Sequence, residues 1–187
     1  MRQIQSLYYL SLCVLLTGCM SGAGNTPDQK RAAVQQMRND VLSEMYQQKP
    51  DVRQQVDTST GYAVFSNANV NLILASFGGG YGVLHDNRNG ADTYLKMGEL
   101  GVGFGAGVKD YRLLMIFHTD DALKRFMDYG VAVGAQADAA AVASTQGAAV
   151  GGELQLDNIT VYQLTETGLA LQATVKGTKY WPDDELN

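Results

Sequence analysis

The chain has only two cysteines and two histidines among its 187 residues. Both cysteines, Cys13 and Cys19, lie at the extreme N-terminus, so the rest of the sequence has no thiol for a disulfide, a CxxC redox pair or a zinc cluster. His85 and His118 have no HxxxH or HxH spacing between them, and no GxSxG is present. A Ser/His/Asp triad therefore has little to draw on, and the isolated carboxylates Asp138 and Glu153 do not make an acid/base pair. Phosphate loops are missing too. Phe77-Gly78-Gly79-Gly80-Tyr81 lacks the Lys-Ser/Thr step, and after Gly101 and Gly103 an alanine, Ala106, stands where GxGxxG needs its third glycine. Basic charge is scarce: 14 Lys and Arg face 19 Asp and Glu, for a formal charge of −5. That balance excludes nucleic acid, which needs a basic footprint. No residue pattern points to catalysis or to a cofactor.

What is present begins with residues 1–18. Arg2 precedes an apolar run from Leu7 to Leu16 that is too short to span a bilayer. The run ends in Leu16-Thr17-Gly18-Cys19, which resembles a bacterial lipoprotein signal. The resemblance implies cleavage before Cys19 and acylation of that cysteine. It leaves 187 − 18 = 169 residues, ample for one core, and loss of Arg2 takes the charge from −5 to −6. Acyl chains bury about 0.8 kcal/mol per methylene, so a multiply acylated Cys19 implies a stable anchor. Met20 follows with no Asp at that place, which by analogy favours the outer membrane of a Gram-negative envelope, facing the periplasm. Residues 19–26 are small and polar, a flexible tether, and 27–187 are expected to form a single domain.

Thr26-Pro27-Asp28 is a helix start, with a capping hydroxyl, a proline in the first turn and an acid at the dipole. Val34, Met37, Val41 and Met45 follow at spacings of three and four, so a helix is expected to about Gln48. Pro50-Asp51 opens a shorter helix through Val56. Strand patterns then take over: Gly61–Phe65, the apolar run Val70–Leu84, a turn at Asp86–Gly90 and a return at Thr93–Met97. Gly101, Gly103, Gly105 and Gly107 recur every second residue, which puts them on one face of one strand as a packing or ligand face. Leu113–Phe117 reads as a separate, fully buried strand. His118, Asp120 and Asp121 have metal-ligand chemistry, but Thr119 as a cap and two acids at the dipole of a helix ending at Gly130 account for them better. In the turn, Arg88 occupies a position that a calcium loop would give to a ligand. Gly130–Ala143 alternates weakly, Ser144–Gly152 is a Gly/Ala loop, and Ile159–Leu164 with Leu169–Val175 form a last hairpin. Fifteen of the 21 glycines lie between Gly78 and Gly152. The expected fold is α+β and mainly antiparallel β, a closed or nearly closed sheet with an N-terminal amphipathic helix and one short internal helix.

The segments LLMIFHTDDALKRFM at 113–127 and GVAVGAQADAA at 130–140 resemble the SYLF domain. GYAVFSNA at 61–68, FGGGYGVL at 77–84 and GLALQATVKGTK at 168–179 extend the likeness over roughly residues 40–180. Phe65-Ser66 departs from the family's usual Phe-Pro, and Ala170 and Gln172 stand where an aromatic and a glycine are common. The resemblance implies a lipid-binding module, with phosphoinositide binding by the N-terminal amphipathic region in eukaryotic members and actin binding in some. On the first helix, Arg31, Arg38 and Lys49 fall about 40–60° to one side of the apolar stripe, in one row. Cations bordering an apolar stripe suit anionic headgroups. The expected function is therefore phospholipid binding without catalysis, through Arg31, Arg38 and Lys49, with tethering at Cys19 and a crevice beside the glycine strand for acyl chains. The rival expectation is a structural or stress-related envelope protein whose glycine face meets a protein partner.

Overall fold

The computed structural model describes residues 24–130, 153–156, 158–165, 168–169 and 176–187, with backbone alone at 69–76, 101–109 and parts of the C-terminal strands. Cys19, the signal and the 130–152 region beyond Gly130 lie outside the described residues. Helix α1 spans Pro27–Gln48 and α2 spans Asp51–Thr58. Thr26 caps α1, its hydroxyl accepting from the Gln29 amide at 3.3 Å. Two long strands follow, β1 at Gly61–Asp86 and β2 at Ala91–Phe117, joined by the expected turn. Helix α3 is Asp120–Tyr129, and β3 (Glu153–Leu156), β4 (Ile159–Thr165), β5 (Gly168–Leu169) and β6 (Lys176–Pro182) complete the elements.

β1 and β2 form one antiparallel hairpin, in register from Gly61↔Phe117 to Asp86↔Ala91. The expected breaks within it are absent: Lys109-Asp110 continues the ladder, opposite Asn69 and Ala68. No turn residue interrupts either run, and a glycine whose backbone is paired on both sides does not end a strand. The ladder has one irregularity, between Ile73 and Ala75, where Gly103 and Phe104 stand opposite Leu74. That is a β-bulge, placed among the alternating glycines.

β2 serves two partners. Its first half, Leu95–Gly101, pairs with β6, and its last seven residues pair with β4. β4 in turn carries β3 and β5. The expectation of a closed or nearly closed sheet is corrected here: six strands are paired, but no ladder among the described residues joins the outer strands. Instead the two ends of β1 pack on each other through glycine. A Cβ on Gly82 would stand inside van der Waals contact of the Val64 carbonyl oxygen and the Phe65 ring, and one on Gly80 would meet the Ser66 carbonyl oxygen. Backbone contact of this kind brings strands together without making them a ladder.

Side chains alternate between two cores. Tyr62, Val64, Val83, Leu114, Ile116, Tyr162 and Leu164 pack with Val34, Met37, Val41 and Met45 of α1 and Val52 and Val56 of α2. Ala63, Phe65, Leu84, Met115, Phe117 and Val161 pack with Leu123 and Phe126 of α3. Burial on both sides explains why 113–117 is apolar at every position. Thr119 caps α3 by accepting from Ala122, as expected, and Gly130 ends it in the left-handed region at φ +56°.

Candidate functional site

The first helix is docked on the sheet. The four residues of its apolar stripe, Val34, Met37, Val41 and Met45, are all buried, and burial of four such side chains stabilises by roughly 6–12 kcal/mol at most. That sum is comparable to the whole stability of an ordinary domain, so the stripe serves the core. The cationic border stays outside it. Arg31 donates from Nη1 to Asp28 at 2.8 Å and from Nε to the Leu186 carbonyl at 2.8 Å. Lys49 pairs with Asp51 at 2.6 Å. The Lys49 hydrogen bond is the main reason that the Asp51 carboxyl is held below the usual carboxylate range. Arg38 bonds Asp92 at 3.2 Å.

These pairs are not equivalent. The carboxylates holding Arg31 and Lys49 are 94% and 56% exposed, and exposed pairs are worth about 0–1 kcal/mol. Arg38 is held more deeply. Asp92 also receives Gln35 at 2.8 Å and lies 2.7 Å from His85 Nδ1, so one carboxylate ties α1 to both long strands. Arg31 and Lys49 are 18 residues apart, roughly 27 Å along the helix axis. The three cations therefore form a row rather than one pocket.

A second surface lies beyond the helix. Tyr94 packs against the α1 core, and by strand period Lys96, Gly98 and Leu100 share its face. Leu100 lies six residues on, about 20 Å along the strand, beyond the reach of a helix about 10 Å wide. Phe77 is opposite Leu100, and Lys179 and Trp181 of β6 are opposite Gly98 and Lys96. Of these, Phe77, Gly98, Leu100, Lys179 and Trp181 line a groove of about 480 Å³, with Gly78, Glu99 and Thr178. Phe77 and Leu100 are 51% and 65% exposed. The Trp181 ring lies over Gly98, where an added Cβ would meet it at 3.1 Å. Lys179 is exposed and makes no ion pair among the described residues. Its neighbour Lys96 is engaged by the buried Asp183 at 2.8 Å.

Behind this face, in the α3-side core, Tyr111 donates to buried Glu99, which also receives Thr178 at 3.2 Å. Asn67 donates to the Tyr111 hydroxyl. The Tyr180 hydroxyl and Asn67 Oδ1 are buried without a partner among the described residues. Burial, and then the Glu99 charge, push the Tyr111 and Tyr180 phenols upward, so both stay protonated.

The expected glycine face is placed only in part. Gly101, Gly105 and Gly107 stand opposite Ser76, Ile73 and Asn71, with Gly103 at the bulge; the side chains around them lie outside the described residues. His118 bonds Thr160 at 2.7 Å, and Asp86 is taken by Arg88 at 2.7 Å, both ordinary structural roles. Sequence reasoning missed the groove, the Asp92 node and strand β6. The alternation of Thr178 and Tyr180 with Lys179 and Trp181 was the signal for β6.

An antiparallel sheet with a helix-packed core on each face, a cationic helix border and an open apolar groove defines a binding domain of the α+β class. Residues 98–187, just under half of the chain, match the model of the Ysc84 (SYLF) family, described as Las17-binding protein actin regulator. The match takes in most of β2, α3 and β6 and leaves out α1. The chain is also 29% identical over 161 residues to Beta cell expansion factor A of Aeromonas veronii. That alignment covers 86% of this chain and 60% of the relative, so the chain spans less than two thirds of it. The match supports a lipid- or protein-binding domain in general terms. Among the described residues, no helix is long and apolar enough to cross a membrane.

Proposed function

We propose that this protein is a non-catalytic envelope lipoprotein, held at the outer membrane by an acylated Cys19, whose domain binds anionic phospholipid headgroups through Arg31, Arg38 and Lys49. One observation carries the reading: the apolar stripe of α1 is spent on the core while its cationic border remains at the surface. The helix therefore touches a membrane by charge and not by insertion. A lipid phosphate replaces Asp28 at Arg31 and Asp51 at Lys49 with little loss, because those carboxylates are well exposed. Arg38 contributes field from its place beside Asp92. The partial match to the SYLF family supports the same reading, since SYLF domains include lipid binders. The family's description as an actin regulator supports a protein partner as the rival.

The test is co-sedimentation of a chain starting at Met20, which keeps every described element, with phosphatidylglycerol and phosphatidylcholine vesicles across a salt series. The reading expects pelleting with the anionic vesicles only, fading as salt rises. Arg31→Glu combined with Lys49→Glu should abolish it. Absence of binding to either vesicle would leave the acyl group of Cys19 as the sole lipid contact and favour a protein partner.

A further inference from the structure

The geometry points to the groove of Phe77, Leu100 and Trp181 as the place where this domain enters a bilayer, with Lys179 at the level of the lipid phosphates. The inference rests on the lipid reading above and gives that reading its membrane-facing surface. Phe77 and Leu100 are two of the three large apolar side chains found exposed among the described residues, and they are paired directly across two strands. Side chains so paired have Cβ atoms about 5 Å apart and act as one patch. Trp181 adjoins them on the same face, an aromatic type that favours the boundary between headgroups and acyl chains. Gly98, beneath the indole, leaves the floor as bare backbone that is already paired on both edges, so acyl contact leaves no strand hydrogen bond unmet.

Charge selects the lipid. Lys179 has no carboxylate partner among the described residues, while Lys96, one residue pair along the face, is neutralised by Asp183. A cation beside an apolar groove matches an anionic headgroup above an acyl chain, with the lysine stem lying along the apolar surface and its ammonium in the phosphate layer. The groove lies on the same sheet face as α1, so the patch and the cationic border of the helix can meet one membrane together.

Trp181 is the chain's only tryptophan, and it reports on the site directly. The chain from Met20 is mixed with phosphatidylglycerol vesicles whose acyl chains carry bromine, and Trp181 emission is followed alongside co-sedimentation. The expected result is a blue shift and strong quenching. In Leu100→Asp with Phe77→Ser, quenching should vanish and partitioning should fall about tenfold, with an unchanged far-ultraviolet circular dichroism spectrum. Lys179→Glu should weaken binding to the anionic vesicles and keep the fold. Pelleting with Trp181 emission unaltered would overturn the groove and leave headgroup binding by α1 intact. Quenching that persists in the double variant would also overturn it. Absence of any pelleting would defeat both readings together.

Discussion

Two stretches of the same hairpin face, about 20 Å apart, have opposite fates. Around Tyr94 and Val83 the sheet is roofed by α1 and sealed by Val34, Met37, Val41 and Met45. Around Gly98 and Leu100 the same two strands, still in unbroken register, carry glycines and two exposed apolar side chains. Strand chemistry is shared, so the difference comes from what is laid on top. A helix covers a band about one helix wide, and this one is held by polar ties at its ends. Lys30 meets Glu185 at 2.6 Å near its start, and Lys49 sits 5.8 Å from the Tyr162 ring at its finish. The roof is thereby pinned over one band, and the neighbouring band stays open.

Substitutions can break this contrast from either side. Met45→Ala removes a fully buried side chain under the roof and should cost about 2–5 kcal/mol in denaturant unfolding. Gly82→Ala should cost roughly 1–3 kcal/mol, because its methyl would press on the Val64 carbonyl and the Phe65 ring where the two ends of β1 touch. A smaller effect concerns the turn at the roofed end. Arg88 hydrogen bonds hold the Asp86 carboxyl below the usual range. Stability from a depressed carboxyl is present above its unfolded value near 4 and is lost as pH falls through the lower folded value. Acid titration of stability should therefore be shallower below about pH 4 in Asp86→Asn than in the parent chain. The smallest change belongs to the open band, where Leu100→Ser should alter stability by no more than about 0.5 kcal/mol. A large loss there would mean that Leu100 is structural and not free.

Much of the roofed region was legible in the sequence. Thr26-Pro27 and the spacing from Val34 to Met45 gave α1, and Thr119 and Gly130 bracketed α3, because caps and periodicity are local signals. The turn at Asp86–Gly90 was equally local. The length of β1 and β2 was not, since Lys109-Asp110 and the paired glycines look like punctuation until a partner strand is present. Closure of the sheet was misjudged for a related reason. Gly80 and Gly82 mark close approach of backbones, and their pattern does not say whether that approach is edge to edge or face to face. The cations of α1 were read from the helix wheel as a row, but their partners Asp92 and Leu186 lie 54 or more positions away. The groove needed Phe77, Leu100 and Trp181 to be brought together by registers that no local pattern reveals.

The central claim is that α1 keeps its apolar stripe on the sheet while its cationic border and the open groove meet the membrane. Hydrogen exchange at the backbone amides of residues 34–45, with and without phosphatidylglycerol vesicles, tests it most directly. Unchanged protection on vesicle binding is the predicted result. Loss of protection along that stretch would contradict the account, since it would show the helix leaving the sheet to bind lipid.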